Sequence, residues 1–505
     1  MLFIVGGVFL FCLINQRSGH DWGDDFALYL RQARGLVEGR VGEILDDNRF
    51  TVDNSSWHTF SPYSYPWGFP LMLAPLYAWR GLDYGFLKVV EAALFAGFLF
   101  VFGAIVRRRV GDIPAAVLVL LIGLSVPYVG WTDTVLSEFP YLFVLALALW
   151  WMDRCREKEA FEAGPIAPLV LLGFLIGYSY SVRREALALL LALGLVHLSV
   201  IVPRLWAEKT FQPLRKVRWS RIAVPYLAFV AWVGGLQLVL PTVLYQSFPN
   251  TGVSQVKPNV IWYRDILAEQ IGLKDMGYPP LALLGSGGLA RLALGLFVAG
   301  AVIGLVARLV RAPRVDASLI GYLVGVSAIF AITPFHEGRY LFSITPLTAY
   351  FALQGTRTVV DLLVRSRRPN PRTGLAVGTA FILVFTLANA NDLWRRTELR
   401  RATGDYVIWG PEDPSALQMF EAVEATTDED DIIGFFRARA MNLYTDRRTV
   451  QVTSVQHVVE RTDFYVMAKA STYSQVLLDD AQAEAAGLAK VWENDRFVIF
   501  STPRA

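Results

Sequence analysis

Apolar residues come in long blocks, separated by short polar or basic stretches, and not at the two-residue period of a sheet. The first block is Met1 to Ile14, short against the roughly 20 residues a helix needs to cross a bilayer. It lacks a basic leader and a small-residue cleavage site, so it reads as a span and not as a signal peptide. It either extends over Asn15 and Gln16 or begins upstream of Met1. Further blocks fall at approximately 84–106, 113–131, 135–152, 166–182, 185–202, 222–244, 289–310, 317–334, 340–360 and 373–390. With the first, these predict a polytopic α-helical membrane protein with about eleven transmembrane helices.

The stretch 15–83 is the longest early interruption, and it opens on His20-Asp21-Trp22-Gly23-Asp24-Asp25-Phe26. From Asp24 to Gly39 the pattern turns helical, with Phe26, Leu30, Ala33 and Val37 on one face and Gly39 as a stop. Such a helix beside a membrane is expected to lie in the interface. A polar run follows from Asp46 to Ser56. Then come the aromatics and prolines of Ser61 to Pro70, and Leu71 to Trp79 reads as a second interfacial helix.

From about Asn391 the pattern changes to short strands and helices. Asp431 to Phe436, Asp463 to Ala468 and Phe497 to Ser501 read as strands. Ser415 to Ala425 and Ser474 to Ala486 read as helices, and Lys490 to Ser501 as a hairpin turning at Asn494-Asp495. The division expected is a transmembrane domain over 1–390 and a small C-terminal α/β domain over 391–505.

Composition agrees with the blocks: 54% of 505 residues are hydrophobic, 18% are charged, and the mean hydropathy is +0.40. The net charge of +3 says little, but its placement is informative. Basic clusters recur in alternate loops: Arg107-Arg108-Arg109, Arg154 to Lys158, Arg204 to Arg221, Arg308 to Arg314, and Arg365 to Arg372. By the positive-inside rule these loops are cytoplasmic and serve as topology signals. The loop bearing Asp24 and Asp25, the loop 245–288 and the C-terminal segment are then extracytoplasmic. Cys12 and Cys155 fall near opposite faces and cannot pair. The arginines form no continuous face, which excludes a nucleic-acid partner.

The remaining ionisable residues gather at the outer ends of the blocks. They are Lys88 and Glu91; Asp133 and Glu138; Arg183, Arg184 and Glu185; Arg291; and His336, Glu337 and Arg339. Charges so close to hydrocarbon are costly unless they pair or face water, so one polar cavity opening outward is expected. Asp24 suits the N-cap of its helix and Asp25 the first turn. Glu138 is either a partner for Arg183 or Arg184 or a binding group. Arg339 either snorkels or lines the cavity. His336 is a candidate phosphate ligand, although a single interfacial histidine is more often structural. His197 is read as packing, and the aromatics of 57–79 as a membrane belt more than a sugar platform.

These residues carry a family resemblance. A carboxylate pair after the first span, followed by an aromatic-rich helix, resembles the membrane glycosyltransferases of the GT-C fold. Leu28-Tyr29-Leu30-Arg31-Gln32-Ala33-Arg34-Gly35-Leu36 and Tyr65-Pro66-Trp67-Gly68-Phe69-Pro70-Leu71 are similar to their first outer loop. Ser137-Glu138, Arg183-Arg184-Glu185-Ala186 and Glu337-Gly338-Arg339-Tyr340-Leu341-Phe342 resemble outer-end motifs of the bacterial branch. That branch includes the protein O-mannosyltransferase-like and aminoarabinose-transferase-like enzymes. The resemblance implies inverting transfer of a sugar from a polyprenyl-phosphate donor to a glycan, lipid or protein acceptor outside the cytoplasmic membrane. It implies Asp24 or Asp25 as the catalytic carboxylate. Lys88, Glu138, Arg183, Arg184, His336, Arg339 and Tyr340 are then substrate-binding. Many relatives have Asp-Glu or a lone Asp where this chain has Asp-Asp.

The chemistry also follows from the residues. Such a transfer needs a base for the acceptor hydroxyl, suited to Asp, and donors for the phosphate leaving group, suited to Arg. A divalent cation at Asp24 and Asp25 is a candidate cofactor, although two carboxylates fall short of the oxygen set such an ion takes. The competing reading is a transporter or flippase of a lipid-linked or anionic substrate. That class places charges and broken helices at the midplane and shows repeated halves, neither of which appears here.

Overall fold

The computed structural model describes the chain except for residues 57–61, 209–216, 241–251, 274–287, 335, 365–370 and 471. The start of the aromatic stretch, much of the basic loop 204–221, both ends of the loop 245–288 (245–251 and 274–287) and the cluster Arg365, Arg367 and Arg368 lie outside the described residues.

In chain order the first helices are α1 (Leu2–Asn15), α2 (Asp25–Glu38), α3 (Val41–Asn54), α4 (Gly68–Arg80) and α5 (Tyr84–Val110). Then come α6 (Asp112–Gly123), α7 (Val126–Trp131), α8 (Glu138–Glu157), α9 (Ala167–Val182), α10 (Ala188–Glu208) and α11 (Trp219–Val239). They are followed by α12 (Val256–Gln270), α13 (Gly288–Arg311), α14 (Pro313–Ile332), α15 (Thr345–Val364) and α16 (Pro371–Thr403). Every predicted apolar block is mainly helical over its described residues; 241–244 of the block 222–244 lie outside them. Among the described residues six helices are long and apolar enough to cross a bilayer, and α1, α6 and α9 are shorter apolar helices.

Three blocks differ from expectation in form. The block 113–131 breaks into α6 and α7 at Ser125, whose hydroxyl donates to the Gln270 carbonyl at 2.8 Å. The block 340–360 opens with a 3-10 turn, Gly338–Ser343, which holds Arg339 and Tyr340 before α15 begins. The last block runs on to Thr403, past the expected boundary at 390. Helix crossings are close where glycines meet. A Cβ on Gly355 would lie 1.8 Å from the Gly300 carbonyl oxygen, so α13 and α15 touch backbone to backbone.

The long loop after α1 corrects two expectations. Helix α2 ends at Gly39 in the left-handed conformation, as predicted (φ 73°). Yet Phe26 to Gly35 are buried without a break, Arg31, Gln32 and Arg34 included. It packs against α4 and also against a helix of the C-terminal segment, so it is enclosed by protein and does not lie in the interface. The polar run 46–56 is largely helical, as the second half of α3. Its Asp47 takes Arg31 at 3.2 Å, because a buried guanidinium needs a carboxylate partner.

The C-terminal segment contains α17 (Pro414–Thr426), β1 (Ile432–Gly434), α18 (Ala438–Thr445), β2 (Arg448–Val450), α19 (Val455–Arg461), β3 (Phe464–Ala468), α20 (Asp480–Ala485), β4 (Ala489–Glu493) and β5 (Phe497–Ser501). The sheet order is β2-β1-β3-β5-β4, parallel over the first three strands and antiparallel over the last two. The hairpin turns as predicted, with the Asn494 side chain accepting from the amides of Arg496 and Phe497. The sequence reading missed α18, β2 and α19, and the predicted helix 474–486 is confined to α20.

Candidate active site

The two adjacent carboxylates face different ways. Asp24 stands at the N-cap position of α2, but its side chain makes no bond there, contrary to the expected capping role. Its Oδ1 accepts from the Arg439 amide at 3.2 Å, and its Oδ2 lies 3.5 Å from the Arg437 guanidinium. Arg439 is the second residue of α18, so Asp24 caps that distant helix and clasps the C-terminal segment to the loop. Asp25 turns toward the membrane helices. Its Oδ1 accepts from the Tyr65 hydroxyl at 2.5 Å and its Oδ2 from Arg339 at 2.7 Å.

Exposure separates them further: the Asp24 side chain is 10% exposed and that of Asp25 is 32% exposed. Surrounding atoms disfavour charge on both. At Asp24 burial wins over Arg437 and Arg439, and the carboxyl is raised above its ordinary range. At Asp25 the same burial is overcome by the Arg339 charge and the Tyr65 hydrogen bond, which hold the carboxyl below that range. Asp25 is therefore an ionised carboxylate that solvent reaches.

Arg339 carries the network onward. Its Nε lies 3.3 Å from Glu138 Oε1, and its guanidinium sits 5.5 Å over the Trp131 ring. The same Glu138 oxygen accepts from Arg183 at 2.5 Å, while Arg183 also donates to the Ser137 hydroxyl at 3.2 Å and pairs with Glu185. Tyr340 lies under the Arg183 guanidinium at 5.3 Å and stacks on Phe330 at 5.2 Å. Glu138 Oε2 is buried without a hydrogen-bond partner among the described residues. The structure thus joins Asp25, Arg339, Glu138, Arg183 and Tyr340, all predicted, in one connected group at the ends of α2, α8, α9 and the 338–343 turn.

Three predicted residues lie apart. Arg184 points away, over the Tyr180 ring at 4.7 Å, beside Trp67 and Gln237. Lys88 is 1% exposed and is spent on the Arg17 and Gly19 carbonyls and on Asp133 at 3.0 Å. His336 is bonded to Asn259 on α12 and lies against the Trp262 ring. His197 packs against Phe161 and Tyr226, as expected.

Sequence reasoning missed Tyr65 as a site residue. It stood in a stretch read as an aromatic belt, and the signal available was its place in the quoted Tyr65-Pro66-Trp67 motif. It also missed Arg437 and Arg439, which occur in a segment taken as a separate domain.

A shared cation does not suit this donor set. The Asp24 oxygens are turned to an amide and an arginine, and those of Asp25 to a tyrosine and another arginine. Among the described residues no group of three or more His, Cys, Asp or Glu side chains is placed to hold an ion.

A groove of about 1230 Å³ opens between α12, α13 and α14. Tyr263, Leu267, Leu294, Val298, Phe330 and Leu341 line it, with Arg264 and Arg291 also on its wall. Phe330 is shared: one side faces the groove, and Tyr340 of the charged group stacks on its ring.

Helices joined through a long, enclosed loop, with a small sheet clasped to that loop, give the chain the GT-C fold seen in solved membrane glycosyltransferases. Two solved structures show the likeness. ArnT from Cupriavidus metallidurans bound to undecaprenyl phosphate aligns with a TM-score of 0.52 at 13% identity, over 99% of this chain and 97% of that one. The Archaeoglobus fulgidus oligosaccharyltransferase AglB, in complex with an inhibitory peptide and a dolichol-phosphate, aligns with a TM-score of 0.53 at 11% identity, over 92% of this chain and 69% of that one. No family model and no curated protein sequence matches the chain.

Proposed function

We propose that the protein is an integral-membrane glycosyltransferase that moves a sugar from a polyprenyl-phosphate donor to an acceptor on the extracytoplasmic side, with inversion. The observation that carries this reading is Asp25: an ionised, solvent-reached carboxylate held between Tyr65 and Arg339 at the outer ends of apolar helices. Asp25 takes the proton from the acceptor hydroxyl as the new glycosidic bond forms. Arg339 and Arg183 stabilise the departing lipid phosphate, and Tyr340 beneath Arg183 fixes that guanidinium. Glu138 holds both arginines in reach of the same point. The apolar groove past Phe330 takes the lipid chain, which leaves the sugar at the water-facing end. Similarity to proteins solved with undecaprenyl phosphate and with dolichol-phosphate supports the donor class.

The same reading has about eleven membrane crossings and an outer C-terminal α/β domain over 391–505. A Cys introduced at Ser474, which is exposed, is expected to react with an impermeant thiol reagent in intact cells. Protection there would reverse the orientation. Activity is tested with the full chain in proteoliposomes, radiolabelled polyprenyl-phosphate sugars and a mixed panel of glycan, lipid and protein acceptors. Label is expected to move to an acceptor with release of polyprenyl phosphate. Donor that moves across the bilayer intact, without cleavage, would favour a flippase instead.

A further inference from the structure

The C-terminal sheet has a topological switch point. β1 is followed by β2 on one side and, later, by β3 on the other, and all three strands run parallel. In open sheets of this kind ligands bind in the crevice outside the carboxyl ends of the strands that flank the switch. Here those ends lead into Phe435 to Arg437 after β1 and toward Tyr473 after β3. Phe436 there is buried, with Trp22 of the long loop packed edge-on against it, while Trp409 and Tyr473 are only partly buried. Tyr473, half-buried, stacks on Phe436 at 4.1 Å and lies 5.3 Å from the Trp409 ring. The Arg496 guanidinium sits 5.2 Å over Trp409. Arg437 is 37% exposed, and its Nε has no hydrogen-bond partner among the described residues, nor has the indole N–H of Trp409. Buried donors without partners are rare and costly in a chain that has no ligand for them.

The partly exposed rings of Trp409 and Tyr473 offer apolar faces that suit the C–H faces of a pyranose, and two arginines beside them suit an anionic substituent. The crevice also adjoins the transfer site, because Arg437 pairs with Asp24, the neighbour of Asp25. We infer that this crevice, formed by Trp409, Arg437, Tyr473 and Arg496 over the buried Phe436, binds an acceptor saccharide carrying a phosphate or carboxylate group. The inference deepens the transferase reading and rests on it for the word acceptor, but the binding itself needs no donor.

The test uses the full chain in detergent and titrates three probes: phosphorylated chitobiose, cellobiouronic acid and unmodified chitobiose. One or both anionic probes are expected to bind more tightly than the neutral one, and the stronger of the two names the substituent. Arg437→Gln is expected to weaken the anionic probe about tenfold and to leave the neutral one unchanged. Tyr473→Ala is expected to weaken every probe about tenfold, while Tyr473→Phe, which keeps the ring, binds as the parent does. Asp25→Asn is expected to bind normally while it fails to transfer. Equal binding of all three probes, no binding of any, or unchanged binding in Arg437→Gln would overturn the inference. Intact probe binding in a protein with no transferase activity would sink the transferase reading alone.

Discussion

Two ionic clusters stand at opposite ends of α8 and obey opposite rules. α8 begins with Glu138 in the candidate site and carries Asp153 about 22 Å further along, at 1.5 Å per residue. At that far end Arg109 donates to Asp153 at 2.5 Å and to Asp316 at 2.8 Å. Arg308 pairs with the other Asp316 oxygen, Tyr350 donates to Asp316, and Ser318 donates to Asp153 at 2.8 Å. Every oxygen of the two carboxylates has a donor, and the side chains of Arg109, Asp153 and Asp316 are 0 to 3% exposed. The cluster ties α5, α8, α13, α14 and α15 together and leaves no carboxylate oxygen over for a ligand, although Arg156 beside Asp153 keeps one buried N–H without a partner among the described residues. The near cluster is unfinished: Glu138 Oε2 has no partner among the described residues, and Asp25 is a third open to solvent. A closed buried network serves the fold, whereas unused hydrogen-bonding capacity beside water is what a substrate can take up. This also corrects the reading of the arginines in the alternate basic loops as topology signals alone, since Arg109 and Arg308 are structural.

The comparison predicts its largest effect at the closed end. Arg109→Ala takes a guanidinium from two buried carboxylates and leaves Asp153 with Ser318 as its one hydrogen-bond donor among the described residues; removing one partner of a buried pair costs about 3–5 kcal/mol. Little monodisperse protein is expected in detergent, with a lowered unfolding midpoint for what remains. An unchanged midpoint would erase the distinction between the clusters. At the open end the effect moves from folding to rate. Asp25→Asn keeps a group that can accept from Tyr65, so yield and midpoint should match the parent. Transfer should fall about a hundredfold or more, the usual size of a general-base loss. Turnover near normal would remove Asp25 from the chemistry.

How much of this was legible in the sequence depends on which interactions are local. The apolar blocks all became helices because block length is a local property. Asp25, Glu138, Arg183, Arg339 and Tyr340 could be grouped in advance because charges at span ends on one side have few places to go. The choice between neighbours could not be read. Arg183 is extended (φ −145°, ψ 135°) and Arg184 starts a 3-10 turn, so the two side chains diverge, and nothing in Arg-Arg says which faces the site. Asp24 and Asp25 diverge because the Asp24 partners are Arg437 and Arg439, some 400 residues later. The enclosure of α2 was hidden for the same reason. Its polar face looked solvated, yet Arg34 bonds the Leu443 carbonyl and Asp446 on and just after α18.

A subtler effect concerns pH. Asp25 is held below the ordinary carboxylate range against the pull of burial, so it stays ionised until the pH falls through that lowered value. The acid limb of transfer should therefore lie below about pH 4, the ordinary Asp range. Any stability Asp25 contributes is likewise present above that range and lost on acidification through the folded value. Arg339→Gln removes the main opposing charge and leaves burial in control. The acid limb of its residual activity should then move to higher pH. A limb that stays in place would show that Arg339 does not set the ionisation of Asp25.

The smallest effect distinguishes the clasp from the base. Asp24 accepts from the Arg439 amide at the start of α18, and an Asn oxygen can do the same. Burial already disfavours its charge, so the loss of that charge in Asp24→Asn should leave stability within about 0.5 kcal/mol of the parent. Asp24→Ala removes the acceptor itself and should cost about 1 kcal/mol, the usual price of a missing N-cap. Hydrogen exchange should locate that cost at α18, with the Arg439 amide losing protection first while α2, which Asp24 does not cap, stays protected. Turnover of Asp24→Asn should stay within severalfold of the parent, because its carboxylate faces the C-terminal segment and not the open side of Asp25. If Asp24→Asn were as inactive as Asp25→Asn and equally well folded, the two carboxylates would act as one unit. The division of labour argued here, one neighbour for the fold and one for the chemistry, would then fail at its centre.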